Sequence, residues 1–169
     1  MAPFEMQLAQ LPILQGLEPE EFALVTGRFI REQFPKGSRI LEEGYGGLKL
    51  FVMLEGRIRV YRTMGDTPIV ITTLEPPETF GEISIIDGSP ISATVEAESD
   101  VVVLTLSRED FYEIVQTSCV LQAKLYGNLL RTLCQRLRTT TNQVHDYFAI
   151  NKALCENESF RQFYKLFTA

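Results

Sequence analysis

The chain has 169 residues, 45% of them hydrophobic and 22% charged, which suits one compact domain with an appendage. Its net charge of −6 argues against a nucleic-acid reader, which needs a basic face, and no apolar run approaches the roughly 20 residues that span a bilayer. The start, Met1-Ala2-Pro3-Phe4-Glu5-Met6, lacks the basic-then-apolar pattern of a signal peptide, so the cytoplasm is the expected compartment.

The first forty residues predict helix, turn, helix, then strand. Leu8, Leu11, Ile13 and Leu14 are apolar and broken by Pro12, and Gln15-Gly16-Leu17 forms a turn. Glu18-Pro19-Glu20-Glu21 opens a helix well, with an early proline and acids at the positive end of the dipole. Phe22, Val25 and Phe29 then fall three and four apart, flanked by Leu24 and Ile30. From residue 33 to 106 the pattern changes to short β-rich runs at 39–42, 50–54, 57–62, 69–74, 92–97 and 101–106. Turn signals such as Pro35-Lys36-Gly37, Gly44-Tyr45-Gly46-Gly47 and Glu75-Pro76-Pro77-Glu78 separate them. Such spacing predicts a mainly β antiparallel barrel or jelly roll. Within it, Arg57-Ile58-Arg59-Val60-Tyr61-Arg62 alternates over its first four residues, which turns one face inward and the arginines toward solvent.

Ser107 is the expected cap of a helix beginning Arg108-Glu109-Asp110-Phe111. A longer helix is expected over 120–148, where Leu130, Leu137 and Val144 fall seven apart, interleaved with Leu133, Thr140 and Tyr147. This seam fits either packing on the same domain or a partner helix. Arg131, Arg136 and Arg138 form the one tight basic group and read as a solvated helix face. Phe160, Phe163, Tyr164 and Phe167 suggest a short apolar helix near the end. Cys119, Cys134 and Cys155 match no zinc, haem or iron–sulfur spacing and are expected to be buried or partly buried free thiols. His145 stands without a nucleophile or metal-ligand set around it. No phosphate-binding loop, nucleophile elbow or kinase signature is present, so neither catalysis nor a resident cofactor or metal is expected.

The most informative run is Phe80-Gly81-Glu82-Ile83-Ser84-Ile85-Ile86-Asp87-Gly88-Ser89-Pro90-Ile91-Ser92-Ala93-Thr94-Val95. It resembles the phosphate-binding cassette of cyclic-nucleotide-binding domains, the family that includes catabolite-activator-type regulators. Other elements follow in family order. They include Leu14-Gln15-Gly16-Leu17, the stretch from Phe34-Pro35-Lys36-Gly37 to Glu43-Gly44, Leu54-Glu55-Gly56-Arg57, Leu106-Ser107-Arg108-Glu109-Asp110-Phe111, and Arg136-Leu137-Arg138-Thr139-Thr140-Thr141.

The resemblance implies a β-roll (a double-stranded β-helix or jelly roll) with flanking N-terminal helices and a long C-terminal helix. It implies helices plus sensor domain over 1–117, a long helix over 118–148 as a homodimer interface through Leu130, Leu133, Leu137 and Val144, and a short helix or tail over 149–169. In the site it implies that Glu82 accepts from a ribose hydroxyl, that Gly81, Ile83 and the turn they open offer backbone amides, and that Ser92 donates to a phosphate oxygen. Thr140 and Thr141 stand where activators carry hydroxyls that touch adenine, and read equally as two polar residues on a helix. Two positions depart from the family: Ile91 replaces the arginine that clamps the phosphate, and Tyr45 replaces an aspartate. Lys49 is the nearest candidate for a compensating cation. The expected ligand is therefore a weakly held cyclic nucleotide, another small molecule, or a protein partner. With only about twenty residues after Phe148, no winged helix-turn-helix and no direct DNA contact are expected.

Overall fold

Short helices open the chain, and local signals set their limits. The structure, a computed structural model, describes residues 8–157; the apolar segment around Phe160 to Phe167 lies outside the described residues. A 3-10 turn at Pro12–Leu14 precedes helix α1, Pro19–Thr26, whose first proline needs no amide partner. The Glu18 amide donates to Glu21 Oε2 at 2.8 Å, closing the first turn. The helix ends earlier than its apolar spacing predicts: Gly27 caps it, and Ile30–Phe34 forms strand β1 instead of a further turn. The reason is tertiary, since every residue of β1 has a partner on the strand Val101–Ser107.

Among the described residues, eight strands form two antiparallel sheets. They are β1, β2 (Arg39–Leu41), β3 (Lys49–Glu55), β4 (Ile58–Met64), β5 (Thr67–Leu74), β6 (Thr79–Phe80), β7 (Thr94–Ala97) and β8 (Val101–Ser107). One sheet has the order β1-β8-β3-β6 and the other β2-β7-β4-β5. The mainly β jelly-roll expectation is met. Helix α2, Glu82–Asp87, interrupts the strands, and α3, Arg108–Thr117, follows them. Helix α4 runs from Cys119 past Phe148 to Glu156.

The period-two pattern of β3 and β8 explains the layering. Leu50, Val52, Leu54, Val102, Leu104 and Leu106 face the helices, in a cluster with Ile13, Leu14, Phe111, Leu121, Leu125 and Leu129. Phe51, Met53, Val101 and Val103 face the roll interior with Leu41, Ile58, Val95 and Ala97. Each such large side chain, fully buried, contributes on the order of 1.5–3 kcal/mol. Asn128, buried on α4, donates to the carbonyls of Ile13 at 2.9 Å and Gln15 at 2.8 Å, which fastens the N-terminal turn to the helix.

The chain divides between Leu129 and Leu130 into two units. In the second, the α4 side chains of Leu130, Leu137, Val144, Tyr147 and Phe148 are exposed, and Leu133 is half-buried. The cysteine expectation is overturned: Cys119, Cys134 and Cys155 are all exposed, because α4 turns those positions outward.

Candidate functional site

The cassette begins where β6 meets β3. Phe80 pairs with Phe51 across the strands, and their rings stack at 4.7 Å. Gly81 then caps α2 with φ at 81°, a left-handed conformation that L side chains avoid. A Cβ built there would lie 2.3 Å from the Lys49 carbonyl oxygen, so both the angle and the space require glycine. The turn places Glu82 and Ser84 inward, Glu82 with only 3% of its surface exposed, while Ile83 points to solvent. The first bond of the helix's own ladder is Ile85 N–H to the Gly81 carbonyl at 3.3 Å, so the amides of Ile83 and Ser84 precede that ladder.

The other end of α2 is held by α3. Arg108 Nε donates to the Ile85 carbonyl at 3.1 Å, and the Tyr112 hydroxyl to that of Ile86 at 3.2 Å. The guanidinium also lies over the Tyr112 ring, 5.1 Å from its centroid. Past α2, the Ser89 amide donates to Asp87 Oδ1 at 2.8 Å, an Asx turn that redirects the chain toward position 91.

Ile91 is turned into the protein. It is 7% exposed and belongs to the roll-interior cluster with Leu41, Phe51 and Phe80. Its backbone forms a two-bond bridge to the preceding loop: Gly44 N–H donates to the Ile91 carbonyl at 2.9 Å, and Ile91 N–H to that of Tyr45 at 3.0 Å. A Cβ on Gly47 would sit 2.8 Å from Ile91 Cδ1, which shows how tightly the loop covers this side chain. The cassette thus brings Gly81, Glu82, Ile83, Ile91 and Ser92 onto one segment, with Glu82 and Ile91 buried and Ile83 and Ser92 exposed. Tyr45 contributes its carbonyl, its side chain being exposed. Thr140 and Thr141 belong to the second unit, where both are exposed and the Thr141 hydroxyl donates to the Leu137 carbonyl at 2.8 Å.

Lys49 is paired away from the cassette. Its Nζ lies 2.8 Å from Glu32 Oε1, and that ammonium, with the Thr105 hydroxyl, holds the Glu32 carboxyl below its ordinary pKa. The pairing follows from β1 and β3 flanking β8 on the same sheet, an order of strands that local patterning does not show.

Two features escaped the sequence reading. One is the Arg108–Tyr112 latch on α2. The other is the tie between Arg62, exposed as expected, and Glu43. Strand β4 pairs with β7 from Ile58 to Tyr61, and just past that pairing Arg62 Nε donates to Glu43 Oε1 at 2.8 Å. Arg59 does face outward, bonded to Glu96 at 2.8 Å and lying over Tyr61 at 5.3 Å. A separate open cleft of about 780 Å³ near Lys36 and Arg57 includes none of the cassette residues, and its Arg57 and Arg59 are already paired with Glu75 and Glu96.

The class of fold is a two-sheet roll with a short helix at its mouth, opened by a left-handed glycine and a buried glutamate. Residues 31–118 match the cyclic nucleotide-binding domain family, and the chain belongs to it. A relative, the cyclic AMP receptor protein of Thermus thermophilus, is 34% identical over 75% of this chain and 57% of its own length. The crystal structure of the Thermus thermophilus catabolite activator protein superposes with a TM-score of 0.71 at 31% identity, covering 85% of this chain and 65% of that one. A cyclic nucleotide-binding domain from Methylobacillus flagellatus shares the fold, with a TM-score of 0.77 at 23% identity over 85% of this chain and 84% of that one. The chain thus spans less than two thirds of the Thermus relatives that it matches. No helix among the described residues is long and apolar enough to cross a membrane.

Proposed function

We propose that this chain is a regulatory sensing domain, without chemistry of its own, whose affinity for cyclic nucleotides is weakened by Ile91. The buried Ile91 side chain carries this reading. A family arginine there would meet the cyclic phosphate with two charge-assisted bonds. Leaving a desolvated charge without such a partner costs about 3–5 kcal/mol, or roughly 10²–10³ in affinity. Such a loss moves a micromolar binder toward millimolar. Regulation then runs through a small ligand held weakly or through a protein partner. The reading includes a homodimer through Leu130, Leu133, Leu137 and Val144, three of which are exposed on α4. It also includes a cytoplasmic setting and no direct contact with membrane or nucleic acid.

A second reading, a working cyclic AMP or cyclic GMP sensor, is favoured by the intact Gly81 turn and the buried Glu82. Calorimetric titration separates the two. Dissociation constants no tighter than about 100 μM for both nucleotides fit weakened binding, and low-micromolar affinity would establish the second reading.

A further inference from the structure

We propose that Arg62 supplies the cation that position 91 lacks, and that Glu43 holds it until an anion takes its place. The anion is the phosphate of a cyclic nucleotide in the cassette, so the proposal rests on the site assignment above. Three observations carry it.

The first is direction. Ile58 and Val60 pair with Ala97 and Val95 of β7, which line the roll interior with Ile91, and strand alternation puts Arg62, two residues on, on the Val60 side. Arg62 is the one cation of β4 on that face; Arg59 lies on the other, opposite Glu96.

The second is position. Glu43 holds the guanidinium and is itself fastened beside the cassette, its amide donating to Thr94 Oγ1 at 3.1 Å. The next residue, Gly44, donates its amide to the Ile91 carbonyl. The guanidinium therefore stands one glutamate side chain away from the backbone bridge at residue 91.

The third is availability. The basic residues nearest the cassette in the chain are engaged elsewhere: Lys49 with Glu32, and Arg108 with the Ile85 carbonyl and Tyr112. Arg62 instead brings both Nε and Nη2 to a single oxygen, Glu43 Oε1, short of the two-oxygen fork that makes such pairs strong. Its side chain is 64% exposed, and exposed pairs of this kind are weak. A doubly coordinating phosphate is the better partner for a guanidinium. No covalent step is involved: Arg62 exchanges one oxyanion for another.

The alternative is a plain structural tie between β4 and the loop after β2. Opposite signs separate the two. If Glu43 competes with the ligand, Arg62→Gln weakens binding of cyclic AMP by about tenfold or more, and Glu43→Gln strengthens it by about three- to tenfold. Adenosine, which has no phosphate, responds to neither. A structural tie would move both variants in the same direction, and would affect adenosine alike. The measurement is calorimetric titration of the whole chain with cyclic AMP and with adenosine, in the wild type and in the Arg62→Gln, Glu43→Gln and Glu82→Gln variants. Should wild-type binding lie below detection, Glu43→Gln must bring it into range, and silence there overturns the proposal. An unchanged Arg62→Gln beside a weakened Glu82→Gln overturns the role of Arg62 and leaves the site standing. If Glu82→Gln also binds as the wild type does, the site assignment itself fails.

Discussion

Replacing Ile91 by arginine sets a structural loss against a binding gain, and the structure sizes both. The isoleucine is 7% exposed, covered by the Gly47 loop and packed among the roll-interior side chains. Removing a buried aliphatic of this size costs about 2–4 kcal/mol. For a chain of this length that lowers the melting midpoint by roughly 4–16 °C. Without ligand, a guanidinium is poorly solvated among these apolar side chains and will swing toward the exposed mouth. With cyclic AMP bound it regains the phosphate, and affinity rises by roughly 10²–10³. Free ligand at a hundredfold excess over the new dissociation constant then returns about 2.7 kcal/mol of stability. Calorimetric titration and thermal melts, each with and without cyclic AMP, read both effects. A loss of stability with no gain in affinity would refute the reasoning, because it would mean that the space beside Glu82 does not admit the nucleotide. An unchanged melting point would refute the packing argument instead.

Gly81→Ala should cost several kcal/mol in urea unfolding, since its Cβ meets the Lys49 carbonyl at 2.3 Å in a left-handed turn; a change below about 1 kcal/mol would contradict that geometry. The wild type should sediment as a dimer at tens of micromolar, and Leu133→Asp with Leu137→Asp should give monomers, because charge in a helix seam costs several kcal/mol. A dimer that survives both changes would place the interface elsewhere. Acid should destabilise the chain below about pH 4. Hydrogen bonds from Lys124, Lys49 and Ser107 hold the Glu21, Glu32 and Asp110 carboxyls, respectively, below their ordinary pKa. Groups lowered in this way stabilise the fold above their unfolded pKa, and that contribution fades as pH falls through the folded value. Asp110→Asn should therefore flatten the dependence of melting temperature on pH between about 5 and 3, and an unaltered slope would show that this carboxylate contributes nothing.

The roll was legible because its signals are local and repeated. Turn glycines, period-two runs and the Ser107 cap each stand in the sequence where the structure uses them; Ser107 Oγ accepts from the Asp110 amide at 3.0 Å. What failed was non-local. Strand β1 continues the apolar spacing of α1 through Phe29 and Ile30, and pairing with β8, some seventy residues on, decides its conformation. Strand β6 is two residues long and has no periodicity to read. In the site, the sequence identifies Ile91 and Tyr45 as departures, but side-chain direction comes from packing: Ile91 goes inward and Tyr45 outward. The pairing of Lys49 was hidden for the same reason, because its partner Glu32 lies on β1 and the pairing of that strand is non-local.

These two kinds of information separate because the fold and the ligand chemistry rest on different side chains. The helix-side cluster, from Leu11 through Ile85 to Leu129, contains neither Glu82 nor Ile91. The roll-interior cluster admits Ile91 as one more apolar member. An arginine lost at that position therefore removes no contact from the layer that holds sheet and helices together, and isoleucine adds apolar burial to the other layer. Stability and ligand affinity pull in opposite directions at this position, so a chain can keep the family fold while its phosphate chemistry changes. Glu82 differs, since burying a carboxylate is costly unless polar groups meet it. Its retention beside Ile91 is the observation that keeps a ligand in the cassette as the working reading, with the source of positive charge as the point to test.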